Sequence, residues 1–210
     1  MYDFYWIRHA ECEMNTVIDG IIGGRSTQSP LTQRGMSQSI HLGTRFKREG
    51  LIFDEVYTSP AIRAYHTGHF ASLESGFSID NIIKEQDIVE LSQGEWEGKP
   101  RDKIYTPEML AHINADNWNF KPPGGESQRE VEERALAWVK RTFLDRRSNE
   151  SRKIGIYSHG VLIKCMLRGI LGSDPSMTWK IDLENTSITH LYYGKNGWEV
   201  RKVNDYGHLP

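Results

Sequence analysis

Two apolar segments of this chain end in similar polar residues. The segment "YWIRH" finishes on Arg8 and His9, and the later segment "IGIYSHG" finishes on His159 followed by Gly160. A hydrophobic core does not require such polarity at a strand end. Histidine exchanges protons near neutral pH, and the arginine guanidinium binds phosphate oxygens in bidentate geometry. These residue types therefore indicate a site for a compact, doubly negative group such as phosphate.

A third segment repeats the pattern. In "VYTSPAIRA", Arg63 lies in the first turn of a helix that follows a strand. Ligands of open α/β sheets bind beyond the carboxyl ends of the strands, and a helix that starts at Gly160 would offer free N–H groups to an anion. We therefore expect Arg8, His9, Arg63 and His159 to converge, although each alone has an ordinary alternative as a solvated arginine or a structural histidine.

Strand-like and helix-like segments alternate along the chain and would position these residues. The predicted strands are "DFYWIRH", "FDEVYTS", "IIKEQDIVEL", "KIGIYSHG" and a hairpin within "NTSITHLYYGKNGWEVRKVND". The predicted helices are "LTQRGMSQSIHLGTRFKREG", "PAIRAYHTGHFASLE", "ESQREVEERALAWVKRTFLDRR" and "VLIKCMLRGILG". This order predicts a three-layer α/β/α sandwich with a mostly parallel central sheet, and residues 1–210 as a single domain.

Composition limits the partners and the location. The 210 residues carry a formal net charge of -2 without a cluster of Lys and Arg, so we expect no nucleic-acid partner. No run of about 18 apolar residues is present, and the N-terminus lacks the features of a signal peptide, so we expect no membrane association and a cytoplasmic location. Cys12 and Cys165 are too few for a disulfide framework, which agrees with a reducing compartment.

A set of motifs resembles those of the histidine phosphatase superfamily, the phosphoglycerate mutase-like proteins. "RHAECEMN" is similar to the family opening R-H-G-E-x-x-x-N, with alanine at position 10. The other motifs follow in the family order over nearly the whole chain: "SPLTQRGMSQ", "SPAIRAYHTG", "VELSQGEWEG", "PGGES", "YSHGVLIKCML" and "NDYGHL".

The resemblance implies a phosphoglycerate mutase-like fold and a role for each matching residue. His9 would be the nucleophile that becomes phosphohistidine, and Glu90 the general acid and then the general base. The phosphoryl oxygens would be held by Arg8, Arg63, a charged His159, Asn15 and the Gly160 amide. Neither a metal nor a cofactor is implied, because phosphoryl transfer requires mainly positioning and charge stabilisation. His9 must then present a neutral nitrogen, with its other N–H held by an acceptor such as a backbone carbonyl.

Further contacts to substrate are expected from two loops. The Gly-rich loop offers Gly23, Gly24 and Arg25, of which Arg25 is equally well explained as a surface group. Ser92 and Gln93 follow Glu90 closely and are further candidates for substrate contact.

The favoured function is a phosphomonoester hydrolase that acts on a small phosphorylated metabolite and releases inorganic phosphate. A cofactor-dependent phosphoglycerate mutase is the alternative, but mutases of this family carry a long insertion after the acid, and only 33 residues separate Glu90 from Gly124 here. A non-catalytic phospho-ligand binding or scaffold protein on the same fold is the alternative from another class.

Three features allow two interpretations each. His66 and His69 form either half a metal site or a solvated helix face. The aromatic residues of the 99–120 segment and its surroundings, Trp96, Tyr105, Trp118 and Phe120, either line a substrate lid or pack a core. The hairpin edge near residues 187–203 either pairs in a homodimer or is protected by its own charges.

Overall fold

A computed structural model describes residues 1–16, 20–26, 28–145 and 150–210. Among these residues, six strands form one sheet in the order β3-β2-β4-β1-β5-β6. Their bounds are β1 Tyr2–Arg8, β2 Glu55–Thr58, β3 Ile82–Lys84, β4 Arg152–Ser158, β5 Ile188–Gly194 and β6 Gly197–Asp205. Strands β1 to β4 are mutually parallel where they pair, while β5 runs antiparallel to β1 and forms a hairpin with β6.

The helices lie between the strands along the chain. Their bounds are α1 Glu13–Thr16, α2 Gln33–Arg48, α3 Ile62–Ser75, α4 Arg101–Ile104, α5 Pro107–Ala115, α6 Gln128–Val139 and α7 Gly160–Leu171. The hydroxyl of Thr32 accepts the Gly35 N–H and caps α2, and Ser127 and Glu130 form a reciprocal capping box at the start of α6. Local sequence therefore determines where these two helices begin.

The alternation of side chains in β1 shows how the layers are built. Phe4 and Trp6 point into one core, which α6 and α7 cover with residues such as Trp138 and Met166. Ile7 points into the opposite core, beneath α2 and α3. Because successive strand residues face opposite sides, one sheet separates two helical layers. The predicted α/β/α sandwich with a mostly parallel sheet is confirmed.

Two element predictions need correction. The segment predicted as a third strand, 82–91, pairs only over Ile82–Lys84 and then turns, with the Glu85 carboxylate accepting the Asp87 N–H at 2.9 Å. That side-chain bond ends the strand and redirects the chain toward Glu90. The 94–125 segment, for which the sequence predicts one short helix, contains two helices, α4 and α5. No helix within the described ranges is long and apolar enough to cross a membrane.

Candidate active site

Three neighbouring parallel strands end at the same edge of the sheet. Arg8 of β1 pairs in register with Ser158 of β4, and Thr58 of β2 pairs with Tyr157. The residues that follow these strand ends are therefore side by side, which brings His9 and His159 to a ring-centroid distance of 5.2 Å. Arg63 reaches the same place from the first turn of α3. The predicted convergence of the two arginines and two histidines is confirmed.

His9 is held as a neutral imidazole, and both of its ring nitrogens have a hydrogen-bond partner. Its Nδ1 contacts the Ala10 carbonyl oxygen at 2.8 Å, and because a carbonyl only accepts, Nδ1 carries the proton. The other nitrogen, Nε2, accepts a hydrogen bond from Arg63 Nε at 3.2 Å. Burial, with the nearby charges of Arg63 and Arg8, holds the pKa of His9 well below its ordinary value of 6.5. The expected backbone acceptor and neutral nitrogen are both present.

The two guanidinium groups are fixed by main-chain carbonyls. Arg63 donates to the carbonyls of Ser26 and Gly24, the latter at 3.2 Å, and is only 4% exposed. Arg8 donates to the Leu183 carbonyl. Its Nε is buried without a hydrogen-bond partner among the described residues. Both cations are thus positioned by neutral acceptors, which leaves their charge available to an anion.

His159 occupies the N-cap position of α7 and is fully buried. Its Nε2 lies 2.8 Å from Ser59 Oγ, and its Nδ1 has no partner among the described residues. Burial, with the charge of Arg63 next in importance, lowers the pKa of His159 well below 6.5. The expectation of a charged His159 is therefore not met by the protein groups alone, because they favour the neutral imidazole.

Glu90 lies at the amino end of α7. Its Oε2 accepts the Val161 N–H at 3.2 Å and its Oε1 accepts those of Leu162, at 3.1 Å, and Leu91, at 2.8 Å. The start of α7 was expected to receive the substrate anion through Gly160. The Glu90 carboxyl group accepts the next two N–H groups of the helix, those of Val161 and Leu162, while Gly160 lines the cleft.

A cleft of about 270 Å³ joins these groups. Arg8, His9, Arg63 and Glu90 line it, as do four of the predicted contact residues, Asn15, Gly23, Gly24 and Gly160. Cys12, Arg101, Lys164 and Asp182 also line it. The thiol of Cys12 lies 3.2 Å from Asn15 Oδ1. The site is thus a small cleft in which four cationic side chains outnumber two carboxylates, Glu90 and Asp182.

The remaining predicted contacts lie outside this cleft. Arg25 forms an ion pair with Glu126 at 2.5 Å and donates to the Glu90 carbonyl at 3.0 Å. The main-chain N–H groups of Ser92 and Gln93 donate to Glu126 and Glu97. Arg25 and Ser92 therefore brace the loop that carries Glu90, because buried carboxylates require these donors.

Sequence reasoning missed the residue with the most bonds to that loop. Arg134 of α6 donates to the carbonyls of Asp87, Val89 and Glu90, at 2.7, 2.6 and 3.1 Å, and to both carboxylate oxygens of Glu126. In the sequence, Arg134 is an arginine within a clearly amphipathic helix, directly before the buried Ala135. Nothing in that pattern specifies a partner.

The 94–125 segment encloses a second cavity of about 550 Å³, which we call the apolar chamber. Trp96, Tyr105 and Phe120 line it, and it shares Arg101 and Val161 with the cleft. Trp118 instead stacks against Arg168, whose guanidinium carbon is 3.8 Å from the ring centroid. Three of the four aromatic residues therefore face a space next to the site, and the fourth serves packing.

The weaker candidates stay outside the site. His66 and His69 lie on α3, and no group of three His, Cys, Asp or Glu suited to a metal occurs within the described ranges. Cys165 and Met166 of α7 are fully buried in the core. The hairpin does form a sheet edge, at β6, which carries Glu199, Arg201 and Lys202.

Comparison with known proteins agrees with this geometry. The model of the histidine phosphatase superfamily (branch 1) matches residues 4–206. The chain belongs to the histidine phosphatase superfamily. It is 27% identical over 207 aligned residues to "Phosphoserine phosphatase 1" of Hydrogenobacter thermophilus, covering 97% of this chain and 92% of that protein. It is 26% identical to "Probable phosphoglycerate mutase GpmB" of Salmonella newport, covering 100% and 95%.

A solved structure shares the fold. The phosphoglycerate mutase from Bacillus anthracis superposes with a TM-score of 0.83 at 22% identity, over 99% of this chain and 94% of that one. The predicted phosphoglycerate mutase-like fold is confirmed. Superfamily members with phosphatase and mutase names support an enzyme that acts on phosphate esters.

Proposed function

We propose that this protein is a phosphomonoester hydrolase that works through a phosphohistidine at His9, without a metal or cofactor. The observation that carries the proposal is the state of His9. Its Nδ1–H is bound to the Ala10 carbonyl, and its Nε2, which accepts a hydrogen bond from Arg63, belongs to a residue that lines the cleft together with Arg8 and Arg63. A neutral nucleophile beside two fixed cations suits attack on a phosphoryl group.

The first half-reaction transfers the phosphoryl group to the enzyme. His9 Nε2 forms a bond to phosphorus while the bond from phosphorus to the ester oxygen breaks. Arg8, Arg63, His159, Asn15 and the Gly160 amide stabilise the charge on the phosphoryl oxygens. A phosphate dianion opposes the effects that lower the pKa of His159, so substrate binding favours the charged imidazole.

Glu90 serves both half-reactions. It gives a proton to the departing alkoxide, and the resulting carboxylate then takes a proton from the water that attacks the phosphohistidine, releasing inorganic phosphate. The contacts of Glu90 with the α7 amides support this role, because they hold the carboxyl group at the wall of the cleft.

A phosphoglycerate mutase remains the alternative, favoured by the name of the Salmonella relative. The 33 residues between Glu90 and Gly124 favour hydrolysis, since the long insertion of the family's mutases is absent from this part of the sequence. Interconversion of 2-phosphoglycerate and 3-phosphoglycerate on addition of 2,3-bisphosphoglycerate would support the mutase instead.

The decisive experiment is phosphate release from 4-nitrophenyl phosphate in EDTA between pH 5 and 8. We expect turnover by the wild type, none by His9→Ala, and wild-type turnover by His41→Ala, which changes an exposed histidine of α2. A base-stable, acid-labile phosphate on the peptide containing His9 would identify the intermediate. An inert wild type that also lacks mutase activity would refute catalysis and favour the scaffold protein.

A further inference from the structure

The apolar chamber is twice as large as the cleft that holds the catalytic groups, at about 550 against about 270 Å³. Arg101 and Val161 line both spaces, so the chamber lies beside the phosphate site. It is the neighbouring space for the alcohol portion of a substrate whose phosphate lies against His9. The walls of the chamber then determine which alcohol fits.

Aromatic and aliphatic side chains form most of those walls. The ring of Trp96 lies 5.6 Å from that of Phe120 and 5.9 Å from that of Tyr105, between centroids. Leu91 and Leu110 add aliphatic surface. A cavity of this size lined by rings binds apolar groups well, because it removes their surface from water.

Three polar side chains of the chamber have hydrogen-bond or ion-pair partners within the protein: Gln128, Asn117 and Glu126. Gln128 donates its amide to Asn117, whose Oδ1 also accepts the Trp179 indole N–H at 3.1 Å. Glu126 is bound by Arg25 and Arg134. These groups have their partners within the protein, so they contribute little to the binding of a polar alcohol.

Charge also argues against an amino-acid phosphate. The ammonium group of such a substrate would need an acidic partner. Glu126 of the chamber is bound by two arginines and Asp102 is 74% exposed, while Asp182 of the cleft interacts electrostatically with Arg8 and Lys164. Arg101, which lies between cleft and chamber, is a cation and repels an ammonium group.

We propose that the substrate of this site is a phosphomonoester whose alcohol carries an apolar ring system that fills the chamber. This inference rests on the proposed function and specifies its substrate class. It also separates this chain from a phosphoserine phosphatase, because the chamber offers rings where phosphoserine presents charges.

The test compares esters of primary alcohols, which keeps the leaving groups similar. We expect kcat/KM for 2-(1-naphthyl)ethyl phosphate to exceed those for ethyl phosphate and phosphoserine by about tenfold or more, the effect of a well-filled hydrophobic pocket. Equal values, or a preference for phosphoserine, would overturn the inference.

A pair of leucine variants locates the effect. Leu110→Gln changes a chamber residue that is 43% exposed, and Leu73→Gln changes a leucine of α3 that is 55% exposed and lies outside the chamber lining. We expect Leu110→Gln to lower kcat/KM for the naphthyl ester about fivefold and to leave ethyl phosphate unchanged. Leu73→Gln should change neither ester. If Leu110→Gln lowers kcat/KM equally for both esters, the result contradicts binding of the alcohol portion in the chamber.

Binding separates this inference from the proposed function. Calorimetric titration of His9→Ala with the same three esters measures chamber occupancy without turnover. If His9→Ala binds the naphthyl ester more tightly than the other two esters but the wild type hydrolyses none of them, only the proposed catalysis is refuted. Turnover dependent on His9 without any preference for the naphthyl ester would refute only the chamber.

Discussion

Replacing Arg134 by methionine should displace Glu90 and slow catalysis most for esters with poor leaving groups. The Arg134 side chain is 15% exposed and supplies donors to three carbonyls of residues 87–90 and to the Glu126 carboxylate. Methionine retains much of the apolar stem but none of these donors. The carbonyls of Asp87 and Val89 then lose a charged partner.

The magnitude follows from those contacts. A hydrogen bond from a charged donor contributes about 1.5–3 kcal/mol, and the bonds here share one guanidinium, so we expect a loss of about 3 kcal/mol in the free energy of unfolding. General acid catalysis contributes about 10²–10⁴-fold. We therefore expect kcat/KM to fall about 100-fold for ethyl phosphate and less than about tenfold for 4-nitrophenyl phosphate, whose leaving group needs little protonation.

The assay is the ratio of kcat/KM for the two esters, measured beside urea unfolding. Arg129→Met is the matched control, since Arg129 lies on the same helix, its side chain is 57% exposed, and its guanidinium pairs with the exposed Glu133. If Arg134→Met loses stability but its ratio of kcat/KM for the two esters stays at the wild-type value, a role of Arg134 in positioning Glu90 is refuted. Arg134 would then serve the fold alone.

Three further predictions follow from the same geometry. The imidazole nitrogens of His9 should show no titration between pH 6 and 7.5 by NMR, because its pKa is lowered, and a midpoint at 6.5 or above would contradict its assignment as a buried neutral base. Ser59→Ala should destabilise the protein by about 1–3 kcal/mol and raise the inhibition constant of phosphate, because His159 Nε2 loses its partner at 2.8 Å; unchanged urea midpoint and inhibition would argue against this contact. Asp205→Asn should cost about 2 kcal/mol at pH 7 by urea unfolding, because it breaks a bidentate pair with Arg45. Arg45 lowers the pKa of Asp205 from 3.8, so the wild type retains this stabilisation above about pH 4 and loses it at lower pH. A difference in unfolding free energy between wild type and Asp205→Asn that stays constant as the pH falls would contradict this linkage.

The sequence by itself determined the part of the site that depends on strand ends. Arg8, His9 and His159 follow apolar strands, and Arg63 opens a helix after a third strand. The carboxyl ends of parallel strands share one edge of a sheet, so these residues could be brought together without knowing the strand order. The layers and the main helices followed from hydrophobic alternation and capping residues in the same way.

Only the tertiary structure decided how Glu90 is held and what lies beyond it. Glu90 reaches the start of α7 across 70 residues, and Arg134 braces its loop from another helix. These contacts join segments that are far apart in the sequence, so no local pattern of hydrophobic and polar residues specifies them. Burial, which lowers the pKa values of both histidines, and the apolar chamber likewise arise only when distant segments pack against one another.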